Sequence, residues 1–402
     1  MESIDTEVLV VGLGPVGSVA ALYLAQRGIR VTAIEAGAEG SATDLRASTF
    51  HAATLEMLDD MGAADAILRL GLRAPVYLYR DRQSAETFRF DMGELSDRTR
   101  FPFRLQCEQH RLAQDLAARL RLESAASVHF GRRLLFLEQD DAGVTAYVET
   151  PTAVVRYQAR YVIGADGANS IARKVLGLDF AGWTHADKFL CLSTAHPIET
   201  HFDDLAYVNY ISDPKEWSVL LRVPSAWRIL VPADERQSDA LLLSDENKDA
   251  VFRRLLGSDV AVTTQHRTIY RVHQRVVSRF AVGRVCLVGD AAHLNSPVGG
   301  FGMNSGIHDA FNACEKIAHA LLEGVDPQPL LEQYTRQRRM VAVEYVQAAS
   351  IRNKKLLEER DPAVRRERFE ELRAIAADPE RAREYLLRST LYESLQRANA
   401  VA

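Results

Sequence analysis

The first 35 residues show hydrophobic patterns in an order that is typical of a βαβ unit. An apolar, partly β-branched run from Glu7 to Val11 predicts a buried parallel strand. It ends at three glycines with the spacing G-x-G-x-x-G, which are Gly12, Gly14 and Gly17. A mostly apolar stretch through Ala25 then predicts a helix. Arg30 to Ile34 predicts a second strand, which Glu35 follows.

The middle of the chain alternates with period two, which predicts antiparallel strands. The alternating stretches are Val76 to Arg80, Glu86 to Phe90, Val128 to Gln139, Val144 to Glu149, Val154 to Arg160, Leu190 to Thr194, Leu205 to Ile211, Trp217 to Val223 and Trp227 to Val231. Residues 106–122 instead carry apolar side chains at helical spacing and predict a long helix. From Gly306 onward we expect an almost wholly helical chain.

These patterns predict an α/β fold: a Rossmann-like nucleotide-binding domain with an inserted antiparallel β-sheet domain and C-terminal helices. We expect the nucleotide-binding domain to be discontinuous, over residues 1–75, 102–180 and 266–340. The sheet domain is expected over residues 76–101 and 181–265, and the helical segment over 341–402. We expect the charged stretch from Glu358 to Arg388 to form solvated amphipathic helices, with a homodimer contact as the alternative.

Composition and charge narrow the function classes. The net charge is −5 and no basic block is present, so a nucleic acid is not expected as a partner. The four cysteines are far apart and the histidines lack metal-binding spacing, so we expect reduced thiols and no metal site. The apolar stretch from Val8 to Ala25 contains three glycines and Pro15, which favours strand, turn and helix over a membrane span. We expect a cytoplasmic protein.

The glycine-rich turn predicts a dinucleotide site. In such a turn the first glycine allows a tight bend, the second a close approach to a pyrophosphate, and the third close packing of helix on strand. Pro15 and Val16 begin the helix, whose free N–H groups favour an anion. Glu35 stands where an acid binds a ribose hydroxyl, which favours a ribose without a 2′-phosphate. The alternative is a structural glycine turn, and the motif does not separate FAD from NAD.

Two further signatures lie far downstream. One is Ile-Gly-Ala-Asp-Gly-Ala-Asn-Ser from Ile163 to Ser170, and the other runs from Val288 to Asn304 and contains Gly-Asp and Gly-Gly-Phe-Gly-Met-Asn. With the first glycine turn they resemble the FAD-dependent aromatic hydroxylases, single-component flavoprotein monooxygenases of the para-hydroxybenzoate hydroxylase type. The resemblance covers residues 5 to about 340 and implies that the two domains bind FAD and substrate.

The resemblance implies a set of FAD contacts. They are Gly12, Gly14, Pro15, Val16, Gly17, Glu35, Ala36, Arg46, Gln106, Asp166, Gly167, Gly289, Asp290, Pro297, Gly299, Gly300, Gly302, Met303 and Asn304. Asp290 would bind the ribitol, Gln106 would touch the flavin at the start of the long helix, and Asp166 would serve FAD pyrophosphate and NAD(P)H. The alternatives are a helix N-cap for Asp290, simple turn chemistry for Asp166 and a surface position for Arg46. For His293 a structural role is preferred to a catalytic one.

The chemistry that the resemblance implies is ring hydroxylation. NADH or NADPH would bind transiently and reduce FAD, O2 would be captured as a flavin C4a-hydroperoxide, and a small electron-rich phenolic or heteroaromatic ring would attack it. Pro297 would line the reaction pocket, and Tyr207 and Tyr210 are candidates for phenol deprotonation or for sheet packing. Arg222 and Arg228 are expected on one face of the sheet, where either would bind a substrate carboxylate. The alternative for these arginines is a protein acid or solvent.

Other activities compete with this interpretation. A hydroxylase of quinone or polyketide-type intermediates would carry the same signatures. Flavin halogenases of this fold carry a Trp-x-Trp-x-Ile-Pro segment, which is absent here. A non-enzymatic flavin-fold binding protein is the third alternative, and Asp290, Pro297 and the following glycines argue against it.

Overall fold

The computed structural model describes residues 2–40, 47–257 and 259–402. The strands are β1 (Ser3–Val11), β2 (Val31–Glu35), β3 (Thr49–Phe50), β4 (Leu72–Ala74), β5 (Val76–Asp81), β6 (Thr87–Asp91), β7 (Arg104–Gln106), β8 (Ala126–Phe130), β9 (Arg133–Gln139), β10 (Val144–Glu149), β11 (Val154–Gly164), β12 (Phe180–Thr194), β13 (Val208–Ser212), β14 (Ser218–Val223), β15 (Ala226–Ala233), β16 (His266–Val277), β17 (Ala281–Val282), β18 (Val285–Leu287) and β19 (His293–Leu294).

The helices alternate with these strands and fill the C-terminal part of the chain. They are α1 (Pro15–Ala25), α2 (Ala52–Asp60), α3 (Asp65–Leu70), α4 (Gln109–Leu120), α5 (Ile171–Val175), α6 (Asp239–Leu242), α7 (Asp245–Leu256), α8 (Phe301–Glu323), α9 (Pro327–Met340), α10 (Ala348–Glu358), α11 (Pro362–Ala377), α12 (Pro379–Ser389) and α13 (Tyr392–Asn399). A π-helical segment, Val341–Gln347, joins α9 to α10. In the described ranges no helix is both long and apolar enough to cross a bilayer.

The first sheet has the strand order β17-β18-β11-β1-β2-β8, with parallel pairing from β18 to β8. Its central strand β1 is buried on both faces from Val8 to Val11, which explains the continuous apolar run. The stretch from Val128 to Gln139, predicted as one strand, contains parts of two strands. Gly131 turns the chain with φ +65°, so β8 joins β2 while β9 pairs with β10.

The second sheet has the order β19-β16-β12-β15-β14-β13-β5-β6 and is antiparallel except for β5 and β13. The predicted combination of a parallel nucleotide-binding sheet with a separate antiparallel sheet is confirmed. This sheet extends beyond residue 265 through β16, because β12 and β16 pair along most of their length. Two helices, α6 and α7, follow β15, and the period-two interpretation of this region did not predict them.

The C-terminal helices pack on the antiparallel sheet. The charged stretch forms α11 and α12, whose apolar side packs on the sheet: Phe369, Leu372 and Leu386 are buried in one core cluster with it. The rings of Phe88 and Phe369 stack with centroids 6.0 Å apart. Arg365 forms a buried ion pair with Asp81 at the end of β5. These helices therefore cover part of the sheet face that carries Tyr79 and Tyr210, whereas α7 packs on the opposite face.

Candidate active site

A cavity of about 800 Å³ lies between the two sheets. Its nucleotide end is lined by the turn after β1, by Glu35 at the end of β2 and by Gly167 after β11. Its other end is lined by residues of β13, β14 and β15 in the antiparallel sheet. The cavity therefore lies at the carboxyl ends of parallel strands, where doubly wound folds bind their ligands.

The glycines of the first turn have two different roles. Gly12 has φ +100°, and a Cβ on it would stand 2.4 Å from the Ala165 carbonyl oxygen. A Cβ on Gly17 would stand 1.9 Å from the carbonyl oxygen of Gly12. Gly14 lines the cavity, and apart from its chain neighbours no atom of the described residues lies within 4 Å of the position of its Cβ. Gly12 and Gly17 are thus needed for packing, while Gly14 leaves an open approach to the N-terminus of α1 that fits a pyrophosphate.

Glu35 is fixed at the edge of the cavity by backbone amides. Its Oε2 accepts a hydrogen bond from the Leu13 N–H (2.9 Å), and its Oε1 accepts one from the Gly37 N–H (2.8 Å). The carboxylate therefore has a defined place beside the glycine turn. Pro15 and Val16 also line the cavity, whereas Ala36 is exposed and is not part of the lining. Arg46 lies outside the described residues.

Asp166 in the second signature caps a helix. Its Oδ2 accepts hydrogen bonds from the N–H groups of Ile171 (2.7 Å) and Ala172 (3.1 Å) at the start of α5. The neighbouring Gly167 has φ +74° and lines the cavity. The structure thus favours the turn role for Asp166, and Ala165 and Gly167 of this motif line the cavity.

A buried ionic network supports the third signature. The Asp309 carboxylate accepts hydrogen bonds from the Gly289 N–H (3.1 Å), His293 Nε2 (2.8 Å) and Arg338 Nε (2.6 Å). Burial raises the pKa of Asp309, but Arg338 and His293 outweigh it and the pKa is lowered. This network fixes the turn that carries Asp290 on the cavity wall, and it gives His293 a structural role.

Polar side chains hold the loop before α8 on the side that faces away from the cavity. Asn304 does not line the cavity: its Nδ2 donates to the carbonyl oxygens of Thr49 (2.8 Å) and Gly300 (2.7 Å), and its Oδ1 accepts from the His51 N–H. His51 Nε2 lies 2.9 Å from the Gly299 carbonyl oxygen. Burial, with help from nearby Arg104, lowers the pKa of His51 to about 3. His51 is therefore neutral and donates to Gly299.

The held loop presents its other side to the cavity. The lining includes Pro297, Gly299, Gly300, Gly302 and Met303. Helix α8 begins here, without an acidic residue in its first turn or a side-chain cap. The first backbone N–H groups of α8 can therefore donate hydrogen bonds to a bound group that carries negative charge. Asn304 and His51 would influence that group only by holding the loop in place.

The expectation that Gln106 begins the long helix is wrong. Gln106 is the last residue of β7, and its Oε1 accepts a hydrogen bond from Thr49 Oγ1 (3.1 Å). Helix α4 begins at Gln109, which lines the cavity. The helical spacing after residue 106 did not reveal the short strand that precedes α4.

The expected face of Arg222 is also wrong. Strands β14 and β15 are joined by a two-residue turn, so that Val223 pairs with Ala226 and Leu221 pairs with Arg228. An even-numbered residue of β15 therefore shares its face with an odd-numbered residue of β14. Arg228 lines the cavity, whereas Arg222 is not part of the lining and donates to the Val223 carbonyl oxygen (2.8 Å).

The two tyrosine candidates also differ in position. Tyr210 on β13 is buried and lines the cavity. Tyr207 is 42% exposed and is not part of the lining. Of the four residues that the sequence offered for substrate contact, the structure therefore brings Tyr210 and Arg228 together at one cavity.

Arg228 is a buried cation at this end of the cavity. Its guanidinium donates to Ser48 Oγ (3.0 Å) and to the Tyr270 hydroxyl (3.3 Å), and lies 3.8 Å from Cys191 Sγ. Apolar residues line the cavity beside it: Val219, Leu221, Leu230, Val272 and Val298. The arrangement suits a flat apolar ligand with a polar or anionic group directed to Arg228.

Comparisons with known proteins agree with this geometry. A family model described as an FAD binding domain matches residues 5–349. A para-nitrophenol 4-monooxygenase of Pseudomonas sp. (strain WBC-3) is 31% identical over 370 residues, covering 91% of this chain and 90% of the relative. A 6-hydroxy-3-succinoylpyridine 3-monooxygenase of Pseudomonas putida is 28% identical, covering 96% of this chain and 97% of the relative. The crystal structure of a p-nitrophenol 4-monooxygenase from Pseudomonas putida DLL-E4 superposes with a TM-score of 0.91 at 29% identity and 99% coverage of both chains.

Proposed function

The chain belongs to the FAD-dependent aromatic hydroxylases, which are monooxygenases, and we propose that its substrate is a phenol bearing a carboxylate or another oxygen-rich anionic or polar group. In this proposal FAD is the resident cofactor, NADH or NADPH is the transient reductant, and O2 supplies the oxygen atom. The observation that carries the substrate class is Arg228, a buried cation in an otherwise largely apolar ring site.

The nucleotide end of the cavity supports FAD as the bound group. Gly14 and the N-terminus of α1 would face the pyrophosphate, Glu35 the adenosine ribose and Asp290 the ribitol. The loop from Pro297 to Gly300 and the first turn of α8 would face the flavin ring system. When bound, FAD supplies the reduced flavin that activates O2 for transfer of one oxygen atom to the ring.

The residues of the ring site would bind and orient the substrate. The apolar side chains of β14 and β15 exclude water from the ring, and Arg228 binds the carboxylate or nitro-like group with a charge-assisted hydrogen bond. Tyr210 offers a hydroxyl to the phenolic oxygen on the same cavity wall. Pro297 lies in the lining as well, so the loop before α8 forms part of the reaction pocket.

The substrate class is tested by NAD(P)H oxidation with the purified yellow enzyme and a panel of phenols that carry a carboxylate, a nitro group or no polar substituent. A product heavier by one oxygen atom identifies the substrate. A larger quinone or polyketide-type ring as the only hydroxylated compound would contradict the proposal. Oxidation that yields only hydrogen peroxide with every phenol of the panel would also contradict it.

The role of Arg228 is tested by Arg228→Met, with Arg222→Met as the matched control. Arg228→Met should raise KM for the anionic phenol at least about tenfold, since a charge-assisted hydrogen bond contributes about 1.5–3 kcal/mol. KM for a neutral phenol and the FAD content should change little. Arg222→Met should leave KM unchanged because Arg222 is not part of the lining. Equal increases for charged and neutral phenols would refute a specific role for Arg228.

A further inference from the structure

A second buried cation lies directly behind the ring site. Arg104 on β7 is 3% exposed, and its Nη1 donates to the Tyr210 hydroxyl oxygen (3.1 Å). Its guanidinium carbon lies 4.2 Å from the centroid of the Tyr77 ring. Arg104 Nε is buried, and none of the described residues forms a hydrogen bond with it. Within residues 2–40, 47–257 and 259–402 no carboxylate forms an ion pair with Arg104.

A buried guanidinium without a counter-ion is costly, because burial removes the hydration of the charge. The aromatic rings around Arg104 compensate only in part, since a cation over a ring contributes about 0.5–2 kcal/mol. An anion bound near this position would compensate the charge of Arg104. The cavity wall beside Arg104 is formed by Tyr210, so an anionic group would approach from that side.

Tyr210 is arranged to relay this charge to a ligand. Because its oxygen accepts a hydrogen bond from Arg104, its own hydrogen points to another acceptor. Among the residues that the structure describes, no group accepts that hydrogen, and Tyr210 lines the cavity. The ring of Tyr210 is fixed by neighbouring rings, with Tyr77 edge-on at 6.2 Å and Tyr79 stacked at 6.3 Å. The hydroxyl is therefore both oriented and available.

We propose that Arg104 is a positioning residue that holds the phenolic substrate as its phenolate, acting through the Tyr210 hydroxyl. The inference rests on the proposed phenol substrate and adds the residue that stabilises its ionised form. On binding, the O–H bond of the phenol breaks and its proton leaves to solvent. Tyr210 keeps its own proton and donates it as a hydrogen bond to the phenolate oxygen, while Arg104 supplies the compensating charge. A phenolate ring is richer in electrons, as electrophilic oxygen transfer requires.

The size of the effect follows from the distance. Adding a normal hydrogen bond to the 3.1 Å between Arg104 and Tyr210 places the guanidinium about 6 Å from the phenol oxygen. At an effective dielectric constant of about 20, this separation lowers the ionisation midpoint of the bound phenol by about two pH units. The arrangement also separates two functions: Arg228 contacts the ligand directly from β15, and Arg104 acts from β7 behind a tyrosine.

The test uses the oxidised, FAD-loaded enzyme with 4-nitrophenol and no NAD(P)H, so that no turnover occurs. The phenolate form of this probe absorbs visible light more strongly and at longer wavelength than the phenol. Difference spectra against probe-free enzyme over a pH series therefore give the ionisation midpoint of the bound probe. The wild-type midpoint should lie about two pH units below that of the free probe.

The variants separate Arg104 from the rest of the site. Arg104→Met should return the midpoint towards the free value, and Arg104→Lys should keep most of the shift because it retains the charge. Tyr210→Phe keeps the ring and removes the relay, so it should lose part of the shift even if Arg104→Met does not fold. Arg222→Met, outside the cavity lining, should behave as wild type.

Two results would overturn the inference, and they differ in what else they affect. A bound probe whose midpoint equals the free value in wild type, or is shifted equally in Tyr210→Phe and in any folded Arg104→Met, refutes the role of Arg104 and leaves the proposed function standing. An enzyme that contains FAD but binds neither 4-nitrophenol nor another phenol of the panel refutes the proposed function and, with it, this inference.

Discussion

Replacing Gly14 by alanine separates the folding role of the glycine turn from its binding role. Gly14 has φ −65°, which alanine adopts without strain, and the added methyl group would meet no atom within 4 Å in the described part of the chain beyond its immediate neighbours. Gly→Ala at such a position lowers the entropy of the unfolded chain, so the free energy of unfolding of the apoprotein should be unchanged or higher by about 0.4–1 kcal/mol.

The effect on FAD should have the opposite sign. The methyl group would project into the cavity where the pyrophosphate approaches the backbone, and it would separate the phosphates from the amides of α1. Loss of one or two such contacts corresponds to about 1.4–2.8 kcal/mol, or about a 10-fold to 100-fold weaker Kd for FAD. Gly17→Ala is the matched contrast, because its methyl group would stand 1.9 Å from the Gly12 carbonyl oxygen. That overlap should destabilise the apoprotein by about 3 kcal/mol or more.

Two measurements check this pair of variants. Urea unfolding of the apoproteins gives the stability, and quenching of FAD fluorescence on titration with apoprotein gives Kd. A Gly14→Ala protein with wild-type FAD affinity would refute the assignment of Gly14 to the pyrophosphate. A Gly17→Ala protein as stable as wild type would show that the packing of α1 on β1 adapts more easily than the 1.9 Å separation implies.

Two further predictions concern buried charge. Asp309→Asn leaves Arg338 without its carboxylate and should lower the free energy of unfolding by about 3–5 kcal/mol, measured by urea unfolding at neutral pH; a loss below 1 kcal/mol would contradict the network. Burial lowers the pKa of both His51 and His308 from 6.5 to about 3. Above pH 6.5 both histidines are neutral in the folded and in the unfolded chain. Between pH 6.5 and pH 3 they take up protons only in the unfolded chain. The free energy of unfolding should therefore fall by up to about 2.7 kcal/mol per pH unit over this range. The urea midpoint measured against pH should fall less steeply in His308→Gln, and an unchanged slope would contradict the assignment.

The nucleotide-binding half was largely predictable because its determinants are local. The apolar run before Gly12, the glycine spacing and Glu35 occupy one continuous segment, and the structure forms β1, α1 and β2 from it. Gln106 shows the limit of this reasoning. Whether a glutamine begins a helix or ends a strand depends on the pairing of β7 with β3 and β4, and those partners lie more than 30 residues earlier in the chain.

The substrate half was less predictable because its decisive features are relations between segments. Alternation identified β14 and β15, but the length of the turn between them determines which of Arg222 and Arg228 faces the cavity. The supporting network of Asp309 and Arg338 gave little signal in the sequence, because Arg338 stands between two other polar residues, Gln337 and Arg339. In the structure both side chains are almost fully buried, and their mutual pairing, together with the hydrogen bonds from Gly289 and His293, makes that burial tolerable.

The position of the two ring-site arginines has a consequence for selectivity. Arg228 belongs to the antiparallel sheet, and Arg104 belongs to the small sheet of β3, β4 and β7. The loop before α8, which would face the flavin, is hydrogen-bonded to β3 and the residue after it through Asn304 and His51. Because β3 pairs with β7, Arg104 and the loop before α8 are held in place by the same small sheet. In the proposed binding mode, a phenol oxygen held through Tyr210 would be positioned by the same strands as the loop before α8, and Arg228 would limit rotation of the ring about that point. Two fixed polar points on a flat ring would leave one edge towards the loop, which is the condition for hydroxylating a single carbon.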